Sequence, residues 1–218
     1  MQTPVSLKSA ERKAFRVTFS DGLWDILLGC FVLEFALAPL FSETLGDFWS
    51  SAIFLPIWGL VYLAIWLVRK HVIEPRIGTV NFSQARKSRL RKVGLVMLAA
   101  NLLLFIFGVV IALSAEKTNG GWSAGGYDAR VLLFGLVVLA GFTLAAYMLE
   151  APRLYFYGLL LFAAPLVGEW LYAQHGFAHH GYPVVFGFSA GLMFLIGLGL
   201  FVRLLKNNPP VDITQAEI

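Results

Sequence analysis

Six stretches of about twenty apolar residues, each long enough as a helix to cross the roughly 30 Å core of a bilayer, dominate this sequence. They are Leu23–Phe41, Phe48–Val68, Val93–Leu113, Val131–Leu149, Leu154–Tyr172 and Pro183–Val202. Inside hydrocarbon every backbone polar group must be satisfied within its own segment, so such stretches are expected to be α-helices. The expected fold class is therefore all-α, a six-span transmembrane helical bundle assembled from hairpins. Charged residues make up only 14% of the 218 residues and gather between the apolar stretches. No connection is long enough to build a soluble domain with its own core. The expected organisation is a basic segment at 1–20, a transmembrane domain at 21–206 and a short tail at 207–218. The first apolar stretch follows a polar, basic leader and is long enough to span, so a cleavable signal peptide is not expected.

Lysine and arginine set the orientation, because short cytoplasmic loops retain them. Every one except Lys117 and Arg130 falls on the side of the N-terminus, the connection after the second stretch, the 150–153 connection and the C-terminus. The expected topology has both termini in the cytoplasm. Trp49, Trp122, Tyr127, Trp170, Tyr172 and Tyr182 then fall at the outer interface, and Trp24, Tyr155 and Tyr157 near the inner one, where amphipathic rings meet headgroups. The fourth and fifth stretches are separated only by Glu150-Ala-Pro-Arg153, and Pro152 can stop one helix and open the next. A tight hairpin is expected there.

Two flanking segments carry most of the charge. Residues 5–19 place Leu7, Ala10, Ala14 and Val17 on one helical stripe, with Lys8, Arg12, Lys13 and Arg16 largely opposite. This is either an interfacial helix or a basic tail obeying the charge rule. The second cytoplasmic connection holds Pro75-Arg76-Ile77-Gly78, whose Pro and Gly point to a turn. Its basic run of Arg86, Lys87, Arg89, Arg91 and Lys92 can attract anionic lipid headgroups, at about 1 kcal/mol per charge, or serve as a topology anchor. Nucleic acid is not an expected partner, since the run is tied to the membrane and lacks a stacking platform.

The P-R-x-G-x-V-x-F pattern at Pro75–Phe82, set in this basic loop, resembles a segment of bacterial polytopic inner-membrane proteins of unknown function. It covers roughly a tenth of the chain, and Thr79 and Asn81 stand where that group has aromatic and basic residues. The resemblance implies a bacterial inner-membrane setting and carries no activity with it.

Chemistry is most visible where polarity enters the spans. An ionisable side chain at a helix centre costs about 2.5–3.5 kcal/mol on insertion scales and marks a candidate site. Glu34 and Glu169 are the principal candidates, both expected in the outer half of the membrane, with Asn101 as a weaker one. Asp21 is expected to help start the first helix, and Asp25 to reach the inner surface or pair with Arg16 or Arg153. Pro39, Pro56 and Pro165 are expected to interrupt helix and free carbonyls. Together with His175, His179 and His180 these features suggest a polar cavity open to the outside, walled by Glu34 and Glu169, in which carboxylates could exchange protons or bind ions. The alternative is that each glutamate locks helix packing.

A metal site built on His175, His179 and His180 has suitable ligands, but Gly176 and Gly181 place them in a loop, where the i,i+4 spacing has no fixed geometry. The single cysteine, Cys30, excludes an intrachain disulfide and an iron–sulfur cluster, and no span holds a histidine for haem. No cofactor is expected.

Gly187-Phe188-Ser189-Ala190-Gly191 matches G-x-S-x-G in letters, but that motif needs a strand before the serine. Ala190 also breaks the G-x-S-G of rhomboid proteases, and no histidine follows to act as base. Asp21-Gly22-Leu23-Trp24-Asp25 lacks the continuation found in CDP-alcohol phosphotransferases. Gly187/Gly191, Gly141/Ala145 and Ala164/Gly168 are expected to let helices approach closely. Three functions remain open: an accessory or scaffold membrane subunit, associating as a homo-oligomer through its small-residue faces or with a membrane partner protein; a small transporter or channel; and a membrane enzyme.

Overall fold

The computed structural model describes residues 21–77, Ser88, Leu95, residues 123–124 and residues 127–209. The third apolar stretch with Asn101, the N-terminal segment, the 86–92 basic run, Gly78–Phe82 and the tail beyond residue 209 lie outside the described residues. The described elements are α1 (Leu23–Ala52), α2 (Phe54–Val68), a π-helical turn (Arg69–Ile73), α3 (Glu74–Ile77), α4 (Ala129–Leu149), α5 (Arg153–His175), a 3-10 turn (Ala178–Gly181) and α6 (Tyr182–Asn207). A two-residue antiparallel ladder, β1 (Ser123–Ala124) with β2 (Tyr127–Asp128), precedes α4. Among these residues five helical stretches are long and apolar enough to cross a membrane: Leu23–Gly46, Phe48–Arg76, Val131–Leu149, Arg153–His175 and Ala178–Asn207. The chain has two compact units, Met1–Asn81 with Gly187–Ile218, and Phe82–Phe186.

In the first unit, α1 and the helix after it form an antiparallel pair about Gly46. Helical hydrogen bonding continues through the expected loop at 42–47, and the break is confined to Gly46 at φ 77°, ψ 162°, a region open essentially to glycine alone. The pairs Asp21/Arg69, Glu34/Trp58 and Phe41/Phe54 touch, each nearly equidistant from Gly46 in sequence. Pro56 does not interrupt a helix as expected. It lies in the first turn of α2, where its missing N–H would have had no helical acceptor. Pro39 and Pro165 do lie inside helices. Helix runs through Pro75 to Ile77, and the rest of the segment in which a turn is expected, from Gly78 on, lies outside the described residues. The π-turn at Arg69–Ile73 directly precedes this proline, and such a bulge re-spaces the ladder where proline has removed a donor.

The buried positions of α1 repeat as a heptad. Gly22, Asp25, Gly29, Val32 and Ala36 are all buried, the a/d spacing of helices that pack at a shallow angle. The facing seam belongs to α6. A Cβ on Gly22 would collide with the Gly197 carbonyl, and one on Gly197 would lie 2.8 Å from Gly22 O. A Cβ on Gly29 would meet the Phe194 ring at 3.1 Å, and one on Gly187 would touch Ala36 at 3.9 Å. The close approach thus uses Gly22, Gly29, Ala190 and Gly197. Gly191, expected to share it, has open space around it.

One end of this unit is closed by specific contacts. Asp21 Oδ1 accepts the Leu23 N–H at 3.0 Å, so Asp21 does help start α1, and Oδ2 accepts from Arg69 Nη2 at 2.7 Å. Arg76 donates to the carbonyls of Leu205 and Asn208, both at 3.3 Å, and Asn208 Nδ2 donates to Leu204 O at 2.9 Å. The Arg76 bonds supply a donor to carbonyls at the end of α6, while Leu204 O also accepts the Asn208 N–H at 3.1 Å. Leu23, Ile73 and Leu204 form the apolar cluster beneath. Asp25 is fully buried in protein, so it does not reach headgroup water; Arg16, one of the partners expected for it, lies outside the described residues.

In the second unit, α4 and α5 form the expected tight hairpin. Ala151 N–H bonds to Ala146 O at 3.1 Å across Glu150, which is left-handed at φ 54°, the hydrogen bond of a Schellman stop. Pro152 then caps α5. The helices meet where a Cβ on Gly135 would lie 2.9 Å from the Phe162 ring and one on Gly158 2.8 Å from Phe142 Cβ. Gly141, the expected contact, faces open space. Ala145 and Ala164 are buried.

Candidate functional site

Glu34 lies on α1 a little over two turns after Asp25, off the heptad seam and only half-buried. The indole N–H of Trp58, from α2, donates to Glu34 Oε2 at 2.9 Å. The Trp58 ring also packs against Phe31 with centroids 5.3 Å apart, and Phe31 against Phe35 at 5.6 Å. This carboxylate therefore has a neutral donor inside an aromatic cluster, an arrangement that ties α1 to α2. Trp58 was not among the residues the sequence singled out. Its signal is positional: Glu34 and Trp58 stand equally far before and after Gly46, so a hairpin about that glycine brings them level.

Glu169 lies near the end of α5, with its side chain 22% exposed. Tyr182, the first residue of α6, donates its hydroxyl to Glu169 Oε1 at 2.7 Å. His180 Nδ1 lies 3.2 Å from Oε2 and 3.1 Å from Oε1. The tautomer with its proton on Nδ1 is the one that donates to this carboxylate. The His180 ring packs against two tyrosines, 4.4 Å from the Tyr172 centroid and 5.7 Å from that of Tyr182. Tyr182, expected as an interface anchor, is thus a ligand of the glutamate.

Backbone geometry makes this contact possible. Gly176 ends α5 in the left-handed conformation at φ 65°. His179, His180 and Gly181 then follow with φ of 52°, 55° and 64°. Left-handed backbone costs an ordinary residue about 1–2 kcal/mol, so the histidines are held there by what they touch. Gly168 and Gly181 meet almost backbone to backbone, since a Cβ on Gly181 would lie 2.9 Å from Gly168 O. The Ala164/Gly168 pair therefore serves a turn as well as a helix contact.

The three outer histidines do not act together. His175 ends α5 and stacks edge-on against Trp170 at 5.2 Å, while His180 is taken by Glu169. Among the described residues, no three His, Cys, Asp or Glu side chains converge as a metal ion would require. Ser189 is fully buried within continuous helix, without the strand that a nucleophile elbow needs. No family model, curated protein or solved structure matches the chain.

Proposed function

We propose that this chain is a six-span integral membrane protein of a bacterial inner membrane, with both termini in the cytoplasm, acting as an accessory or scaffold subunit for other membrane proteins. The observation that carries this reading is the commitment of both glutamates of the apolar stretches to neighbouring donors: Glu34 to Trp58, and Glu169 to Tyr182 and His180. A carboxylate that shuttles ions has to be free to change partners, whereas these two fasten helices and a turn. The many exposed large apolar side chains of α2, including Leu55, Leu60, Tyr62 and Trp66, suit lipid or a neighbouring helix.

Orientation rests on the Lys/Arg distribution. It is supported by Arg69 and Arg76, which join the start of α1, the end of the second span and the end of α6 on one side. The bacterial setting rests on the Pro75–Phe82 resemblance. Anionic headgroups at the 86–92 run complete the expected partners.

Two experiments test the proposal. Mild cross-linking in native membranes, followed by purification, should recover a membrane protein partner in stoichiometric amount. The purified chain in liposomes should pass no more proton or cation current than empty vesicles. A current that disappears in Glu34→Gln or Glu169→Gln would establish transport instead. For topology, in a Cys30→Ser background, an impermeant maleimide applied to spheroplasts should label Gln174→Cys and leave Asn207→Cys unlabelled.

A further inference from the structure

The surroundings of His180 have the composition of a receptor for an organic cation. A carboxylate, Glu169, contacts its Nδ1, and the rings of Tyr172 and Tyr182 pack against it with centroids 4.4 and 5.7 Å away. Aromatic faces attract cations through their quadrupole, and a carboxylate adds directional charge. Tyr182 also donates to Glu169 at 2.7 Å, which fixes both the carboxylate and one wall. The occupant of this cage is the chain's own imidazole, a ring that becomes an organic cation when protonated at both nitrogens.

That occupant is poorly anchored elsewhere. His180 is 53% exposed, on a turn in which it and His179 are both left-handed. Left-handed backbone costs each histidine about 1–2 kcal/mol, and Gly176 and Gly181 supply left-handed positions at the turn's two ends. The cage walls come from helical positions: Glu169 and Tyr172 from α5, Tyr182 from the start of α6.

We propose that Glu169, Tyr172 and Tyr182 form a binding site for small organic cations, of the ammonium or imidazolium class, which His180 occupies as an internal plug. A cation arriving from the adjoining aqueous side competes with the imidazole for the same carboxylate and ring faces. The site goes beyond the accessory role and does not depend on it.

The test uses the full chain in lipid nanodiscs, with tetramethylammonium chloride as probe and sodium chloride at equal concentration as control, read by calorimetry. His180→Gly removes the plug and the backbone strain together, and should bind tetramethylammonium about tenfold more tightly than wild type, in line with cation–π energies of about 0.5–2 kcal/mol. His180→Asn, which keeps a residue tolerant of left-handed backbone, should show the same gain. Glu169→Gln added to either variant should remove the binding. Equal affinity in wild type and both variants, or binding that survives Glu169→Gln, would overturn the proposal.

Discussion

The indole N–H of Trp58 donates to the Glu34 carboxylate at 2.9 Å, joining α1 to α2. Both side chains approach from helices whose sequences are otherwise almost wholly apolar. The bond supplies a direction that non-specific apolar packing lacks, since it fixes both the rotation of each helix and the register between them.

If this bond is what Glu34 contributes, its partners should respond unequally to substitution. Trp58→Phe keeps a ring against Phe31 and removes the donor, and should lower stability by about 1–2 kcal/mol. Glu34→Gln retains an acceptor oxygen and should cost less than about 1 kcal/mol. Reversible unfolding in mixed micelles measures both. Equal losses in the two variants would mean that the charge, and not the hydrogen bond, is what matters.

The Asp21–Arg69 pair is unequal in another way. Asp21 is 2% exposed and Arg69 32% exposed, so losing the arginine strands a buried carboxylate while losing the aspartate leaves a guanidinium that can reach water. Arg69→Leu should cost roughly 2–3 kcal/mol, somewhat below the value for fully buried pairs. Asp21→Asn, which still presents an oxygen to the Leu23 N–H, should cost about half as much. The same unfolding assay decides the order.

Glycines on and off the seam should separate sharply. Gly22→Ala must add a methyl where the Gly197 carbonyl already lies, at φ 78°, and should destabilise by about 3 kcal/mol or more. Gly191→Ala has open space and removes a helix-weakening residue, so it should be neutral or stabilising by up to about 1 kcal/mol. Similar melting temperatures for the two variants would contradict the α1–α6 seam.

Arg76 acts as a distant cap on α6. Arg76→Ala should leave the carbonyls of Leu205 and Asn208 to solvent, with a stability loss of about 0.5–1.5 kcal/mol. Hydrogen exchange should accelerate over residues 204–208 without changing the middle of α6. A uniform acceleration along α6 would show that Arg76 supports packing instead of the terminus.

How much of this was legible depends on range. Five of the six apolar stretches, the Glu150–Arg153 hairpin and the role of Asp21 are found among the described residues and follow from hydropathy, proline geometry and capping, which act within a few residues. Glu34 and Glu169 stood out because charge in an apolar helix is costly wherever the helix packs. Trp58 and Tyr182 did not, since one resembled any aromatic in a span and the other an interface anchor. The small-residue pairs failed for the same reason: spacing alone does not say which way a glycine faces, and Gly191 and Gly141 face outward while Gly197 and Gly158 face a neighbour.

By itself the sequence determined that this chain is built of helices long and apolar enough to cross a membrane, because the cost of burying charge and unsatisfied backbone in hydrocarbon is counted residue by residue along the chain. Only the tertiary structure decided what each polar group does there. The heptad face of α1, the Gly46 turn and the three left-handed residues before Tyr182 set which side chains meet. Those depend on helix rotation and register, which are fixed by contacts between segments far apart in sequence.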